Sequence, residues 1–278
     1  MADAEARAAA SASAADATAD AAPDPPMRIW QTWKSHDPST FHSVYALCQP
    51  SWQALHPRAP YALLDDAEGA ALARAHFAPI ADVYDRLPLG VMRADMLRCM
   101  LLFLHGGLYV DMDFMALRDH EPLWSAARGV VLGRLGHSSV HDMPNAWMMA
   151  KQPRDIFWLA VLERAANECN VAMRHKLPLQ ERVETATGPV LLRNVALQYN
   201  MRNGAVTHLC PRLLAAVGGV RTTTRCKIQM LAPDAVYPCD WQDNPRLREM
   251  REWRAEARED VAARLPASYA WTSWTHNW

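Results

Sequence analysis

Residues 90–114, GVMRADMLRCMLLFLHGGLYVDMDF, restrict what this chain can fold into more than any other stretch. At about 100° per residue, apolar side chains surround most of residues 90–104, so the spacing predicts a buried helix. Gly106 and Gly107 follow in the usual C-terminal capping role. Leu108 to Val110 then reads as a strand, and it runs into two aspartates one residue apart. Other segments extend the pattern. Residues 28–33 and 57–64 read as strands, and Asp65 or Asp66 caps a helix that reaches about His76. Residues 129–134 and 229–238 read as later strands, while 153–170 and 189–200 have helical periodicity. Strands alternating with helices imply an α/β fold with a mainly parallel central sheet flanked by helices.

Residues 1–26 are rich in alanine, with little else to bury, and are expected to be a disordered tail. Residues 27–278 show no internal linker and are expected to form a single domain. Lys plus Arg total 29 against 30 for Asp plus Glu, which gives no reason to expect nucleic-acid binding or an acidic membrane as partner. No apolar run approaches the ~18–20 residues of a membrane helix, and the N-terminus lacks a secretory pattern. The expectation is therefore a protein without a membrane span, made in the cytoplasm. The six cysteines are scattered with no C-x-x-C pair, so they read as reduced, buried thiols rather than a zinc site.

Asp95 and Arg98 lie three apart on one stripe of the predicted buried helix. Buried charge is costly unless paired or used. Either the two form an internal ion pair that locks the helix, or the stripe faces a ligand, with Asp95 on sugar hydroxyls and Arg98 against negative charge. Arg93 points elsewhere. Asp111 and Asp113, on alternate positions of a predicted strand end, should present both carboxylates on one face. Such hard oxygen donors suit Mg²⁺ or Mn²⁺, and α/β sheets bind ligands at the carboxyl ends of their strands. A solvated acidic turn is the bland alternative. Three of the 11 tryptophans, Trp271, Trp274 and Trp278, fall in the last eight residues. They suit either docking on the core or stacking against a sugar or base.

These segments resemble glycosyltransferase family 32. The resemblance rests on R-x-D-x-x-R at 93–98 and HGGLYVDMD at 105–113. It extends to IWQTWK at 29–34, NAWMMA at 145–150, TGP at 187–189 and VYP at 236–238. It implies a GT-A type, Rossmann-like fold, a divalent metal (Mn²⁺ or Mg²⁺) and retention of anomeric configuration. It also implies a nucleotide-sugar donor, GDP-mannose or a UDP-hexose, with a glycan, lipid or protein acceptor. Trp33 then corresponds to the residue that stacks on the base. Asp95 and Arg98 correspond to the pair holding donor sugar and phosphate, Asp111 to a ribose or sugar contact, and Asp113 to the direct metal ligand. Tyr109, Asn145 and Trp278 join the candidate donor contacts, and Asn277 the candidate metal ligands. Thr272 stands where the family commonly has histidine, Asn277 where it has serine, and Trp30 where it has histidine. The expected activity is hexose transfer to an acceptor hydroxyl. Its alternatives are a catalytically idle nucleotide-sugar-binding module, or a phosphohydrolase with Asp111 as nucleophile and Asp113 as acid.

Overall fold

A computed structural model describes residues 26–136, 139–172, 178–204, 206–220, 228–241 and 244–275. The predicted tail lies outside the described residues, apart from Pro26. The strands are β1 (Ile29–Thr32), β2 (Tyr61–Leu64), β3 (Gly107–Val110), β4 (Phe114–Ala116), β5 (Val130–Leu132), β6 (Trp147–Ala150), β7 (Gln229–Met230) and β8 (Ala270–Thr272). Six of them form the central sheet in the order β2-β1-β3-β6-β5-β7, and β4 pairs with β8 in a second, two-stranded sheet. Of the six, only β6 runs against the others. The α/β class with a mainly parallel sheet is therefore observed.

Alternation along the strands divides the core. Trp30, Tyr109, Leu132 and Met148 point to one face, and Ile29, Leu108, Val131 and Trp147 to the other. The first face is covered by α2 (Asp66–His76), α3 (Ala78–Asp85), α4 (Gly90–His105), α6 (Ile156–Ala172), α7 (Leu179–Ala186), α8 (Pro189–Met201) and α9 (Pro211–Val217). The second is covered by α1 (Tyr45–Leu55), α5 (Glu121–Ala126), α10 (Asn244–Glu252), α11 (Arg258–Arg264) and the β4–β8 sheet.

Local chemistry explains the elements that frame the sheet edge. Asp65 accepts from the Glu68 amide at 2.9 Å while the Glu68 carboxylate accepts from the Asp65 amide at 2.9 Å, a reciprocal cap that starts α2 directly after β2. Helix α4 is buried along most of its length, as predicted, and Gly106 closes it at φ 66°. Gly107 has φ 101°, and a Cβ there would lie 2.4 Å from the Arg28 carbonyl oxygen. Only glycine lets α4 turn into β3 while β1 passes this close.

Two predicted elements are corrected. Residues 229–238 do not form one long strand: pairing stops at Met230, and Pro233, which has no N–H to give a ladder, opens a short 3₁₀ turn. Asp111 and Asp113 do not lie on a strand. β3 ends at Val110, and a turn closed by the Phe114 amide on the Asp111 carbonyl (3.1 Å) reverses the chain into β4. The five described cysteines are buried. Among the described residues, no helix is long and apolar enough to cross a membrane.

Candidate functional site

Parallel strands bring their carboxyl ends to one edge of the sheet, and the reversed β6 brings its amino end there too. Trp33 follows β1, Asp111 and Asp113 follow β3, and Asn145 precedes β6. Asp95 and Arg98 reach the same edge from α4. With Tyr109 they line one cavity of about 760 Å³. The sheet edge thus gathers seven of the sequence-predicted site residues. Asn277 and Trp278 lie outside the described residues.

The floor is a closed network of hydrogen bonds and ion pairs. Arg98 pairs with Asp95 at 3.2 Å and with Asp111 at 3.3 Å, and donates to the Asn145 carbonyl oxygen at 2.7 Å. The Asn145 amide donates to Asp95 Oδ1 and the Thr187 hydroxyl to Asp95 Oδ2, both at 2.8 Å. Tyr109 donates to Asp111 at 2.7 Å and carries the Arg98 guanidinium 4.8 Å above its ring. Two of the sequence alternatives therefore coexist: Asp95 and Arg98 form an internal ion pair, and that pair faces the cavity. Burial pushes the Asp95 carboxyl up, against Arg98, Thr187 and Asn145. Burial also opposes the Arg98 charge, but Asp111, Tyr109 and Asp95 raise the guanidinium above its ordinary range, so it stays protonated.

Because the D-x-D is a turn, its two acids have separate surroundings. The Asp111 carboxylate is one-third exposed and held by Arg98 and Tyr109. Asp113 is 8 % exposed and is held by the segment after β8. β8 pairs with β4 in the register Phe114–Thr272, beside the turn. Asp113 Oδ2 accepts from the Thr275 amide at 2.9 Å and from the Thr272 and Thr275 hydroxyls, each at 3.1 Å. Burial pushes the Asp113 carboxyl up, and these donors pull it down. Thr272 is thus a direct partner of Asp113.

The tryptophans divide in the same way. Trp33 is half-buried, donates to the Thr40 hydroxyl at 3.1 Å and meets Tyr45 edge-on. Trp271 is wholly buried, while Trp274 stacks on Tyr237 and lines the cavity. Arg93, expected to point elsewhere, also lines the cavity. Its long side chain reaches Asp66 at 3.1 Å from the first turn of α4. Sequence reasoning missed Thr275, and it missed the wall formed by His141, Gln180, Glu184 and Trp241. None of these belongs to a pattern readable from local spacing. Thr187 is the first residue of the TGP segment.

The floor carries the donor chemistry a divalent cation would need, although its three carboxylates do not converge on one point. Asp95, Asp111 and Asp113 outnumber Arg98 on the floor, and their oxygens are the hard donors that Mg²⁺ and Mn²⁺ prefer.

Residues 43–129 match the family described as "Glycosyltransferase sugar-binding region containing DXD motif". The chain is 36% identical over 98 residues to the "Initiation-specific alpha-1,6-mannosyltransferase" of Saccharomyces cerevisiae, covering 34% of this chain and 20% of that one. It is 31% identical over 98 residues to "Inositol phosphoceramide mannosyltransferase 3" of Schizosaccharomyces pombe, covering 35% of this chain and 27% of that one. The chain thus spans only about a fifth to a quarter of these relatives. Among solved structures, "PaToxG Glycosyltransferase" aligns with 70% of this chain and 77% of its own at 14% identity, with a TM-score of 0.48.

Proposed function

We propose that this chain, which matches the DXD sugar-binding region over residues 43–129 and resembles mannosyltransferases there, is a metal-dependent retaining hexosyltransferase of GT-A type. Its donor is a nucleotide sugar, GDP-mannose or a UDP-hexose, and it acts on an acceptor hydroxyl. Residues 27–278 form the catalytic domain. The observation that carries this reading is the Asp95–Arg98–Asp111 network on the floor of a cavity that also takes in Asp113 and Trp33. Its volume, about 760 Å³, suits a ligand of nucleotide-sugar size.

Trp33 offers an indole face at the end of β1 for the base. Asp95, kept in place by Asn145 and Thr187, is oriented to accept from sugar hydroxyls. Arg98 supplies fixed positive charge in a water-poor site, where it is worth more than in solvent. Asp113, with Asp111, would hold the Mn²⁺ or Mg²⁺, with Asn277 as a further oxygen donor. When bound, such an ion neutralises the charge of the leaving diphosphate. Among the described floor residues, no side chain stands as a covalent nucleophile, since Asp111 is engaged by Arg98 and Tyr109. The protein's contribution is positional and electrostatic.

The test is a panel of nucleotide sugars with Mn²⁺ and Mg²⁺, read as nucleotide release. Release should need a divalent ion and vanish in Asp113→Asn with the fold intact. Undiminished donor hydrolysis by that variant would remove the metal assignment. Tight donor binding with no turnover or hydrolysis would point instead to an idle binding module.

A further inference from the structure

One wall of the cavity has no role in holding the donor as described above. Helix α7 turns Gln180, Val183 and Glu184 towards the cavity, three and four residues apart on one face. Gln180 donates its amide to Glu184 at 2.8 Å, and His141 Nδ1 lies 3.6 Å from the other Glu184 oxygen. The His141 ring meets Trp241 edge to face at 5.9 Å. These four side chains come from three separated parts of the chain. Their meeting is a property of the tertiary structure.

This wall is tied to the place where the donor sugar sits. Thr187, at the C-terminal cap of α7, donates to Asp95, and Asn145, four residues after His141, donates to the same carboxylate. Acids line the cavity on both sides, Asp66, Asp95, Asp111 and Asp113 on one and Glu184 on the other, but the cations do not. Lys34, Arg93 and Arg98 line it from β1 and α4, whereas no Lys or Arg among the described lining residues comes from the α7 side. Among the described lining residues, the ammonium and guanidinium groups that could hold a diphosphate therefore lie on the β1 and α4 side. The opposite wall offers a carboxylate, an amide, an imidazole and an indole. That combination can accept from and donate to hydroxyls while giving a flat apolar surface to a ring's C–H face. It would repel a phosphate.

We propose that Gln180, Glu184, His141 and Trp241 form the acceptor subsite, and that the acceptor is a neutral saccharide rather than a phosphorylated headgroup. A pyranose ring lies against Trp241, and its hydroxyls donate to Glu184 and accept from Gln180. The inference rests on the glycosyltransferase reading, and its test separates the two.

Saturation-transfer NMR on the full chain would use methyl α-mannoside, α-1,6-mannobiose, lactose and maltotriose as neutral probes. Inositol 1-phosphate serves as the anionic probe, and GDP or UDP with Mn²⁺ as donor-site controls. At least one neutral glycoside should give signal, and inositol 1-phosphate none. Trp241→Ala and Glu184→Gln should each weaken glycoside binding about tenfold or more, the effect of losing one charged or stacking partner. Nucleotide binding should stay within about twofold of wild type, the scatter expected of a remote change. Glycoside binding unchanged in both variants, no glycoside binding at all, or preferential binding of inositol 1-phosphate would overturn the acceptor subsite while nucleotide binding persists. Loss of all nucleotide binding in the wild-type protein would instead overturn the glycosyltransferase reading beneath it.

Discussion

Replacing Arg98 with methionine tests the network at its centre. The Arg98 side chain is 5 % exposed and pairs with Asp95, itself 4 % exposed, and with Asp111. Methionine matches the length of the stem and removes the charge. Asp95 would then sit buried with only neutral donors, Asn145 and Thr187. Breaking a buried pair from one side costs about 3–5 kcal/mol, because the surviving charge keeps its desolvation penalty. In a domain of this size, each kcal/mol lowers Tm by roughly 2–4 °C, so a fall of about 6–20 °C is expected. Urea unfolding followed by tryptophan fluorescence gives the free energy, and an unchanged m-value shows that the two end states are comparable. The double variant Arg98→Met, Asp95→Asn supplies the sharper number. With the Asp95 charge gone, the cost of losing Arg98 should shrink by about 1–3 kcal/mol, a coupling typical of residues in direct contact. A single-variant cost under about 1 kcal/mol, or no coupling, would show that water reaches the pair and screens it, and the electrostatic argument for the floor would fail.

Asp113→Asn should keep or raise Tm by scanning fluorimetry: burial raises this carboxyl above its ordinary value, so its ionised form opposes folding at neutral pH, and a large fall in Tm would contradict that. Thr272→Val removes one of the three donors on Asp113 Oδ2 and should cost about 1–3 kcal/mol in urea unfolding, with weaker Mn²⁺ binding by calorimetry; no change in either would show that Thr275 alone suffices. Gly107→Ala should lose about 3 kcal/mol or more, since the added Cβ meets the Arg28 carbonyl at 2.4 Å and φ is 101°; a neutral result would mean that β1 and β3 separate freely. Burial pushes His120 down to about 3 from 6.5, so the unfolded chain takes up a proton first as pH falls. Its contribution to stability is complete above the unfolded value and is lost as pH falls towards the folded one, at a slope of up to about 1.4 kcal/mol per pH unit. His120→Phe should flatten the urea midpoint between pH 6.5 and 4; a profile as steep as wild type would assign the acid sensitivity elsewhere.

The fold was legible wherever local chemistry decided it. The apolar girth of α4, the glycine pair after it and the Asp65–Glu68 cap all act within a few residues, and each element stands where its spacing put it. Legibility failed where pairing partners decide the outcome. Residues 229–238 have strand-like composition, yet only Gln229 and Met230 pair in register with β5, followed by one bond from the Leu231 amide to the Leu132 carbonyl. Helix α1 contains Pro50, which argues against a helix locally, but Tyr45, Cys48 and Trp52 bury a full stripe and Trp52 donates to the Phe114 carbonyl at 2.8 Å. Burial of that stripe outweighs a proline that costs about 3 kcal/mol in a helix interior.

The D-x-D shows the same division within a single motif. Alternation on a strand predicted one face for both acids, and the site would then be symmetric about the metal. The chain turns at Met112 instead, and each acid takes the environment of whatever packs beside it. Asp111 stays with its own strand, through Tyr109, and with α4, through Arg98. Asp113 is claimed by residues about 160 positions away, because β8 pairs with β4 and delivers Thr272 and Thr275 to one of its oxygens. A histidine at position 272 would bring an imidazole to Asp113. Threonine brings a neutral hydroxyl that binds the carboxylate and leaves its charge in place. A cation at Asp113 therefore meets an acid whose Oδ2 already accepts from three protein donors. In the proposed metal site, what Asp113 can offer a cation would depend on the β4–β8 pairing as much as on the motif.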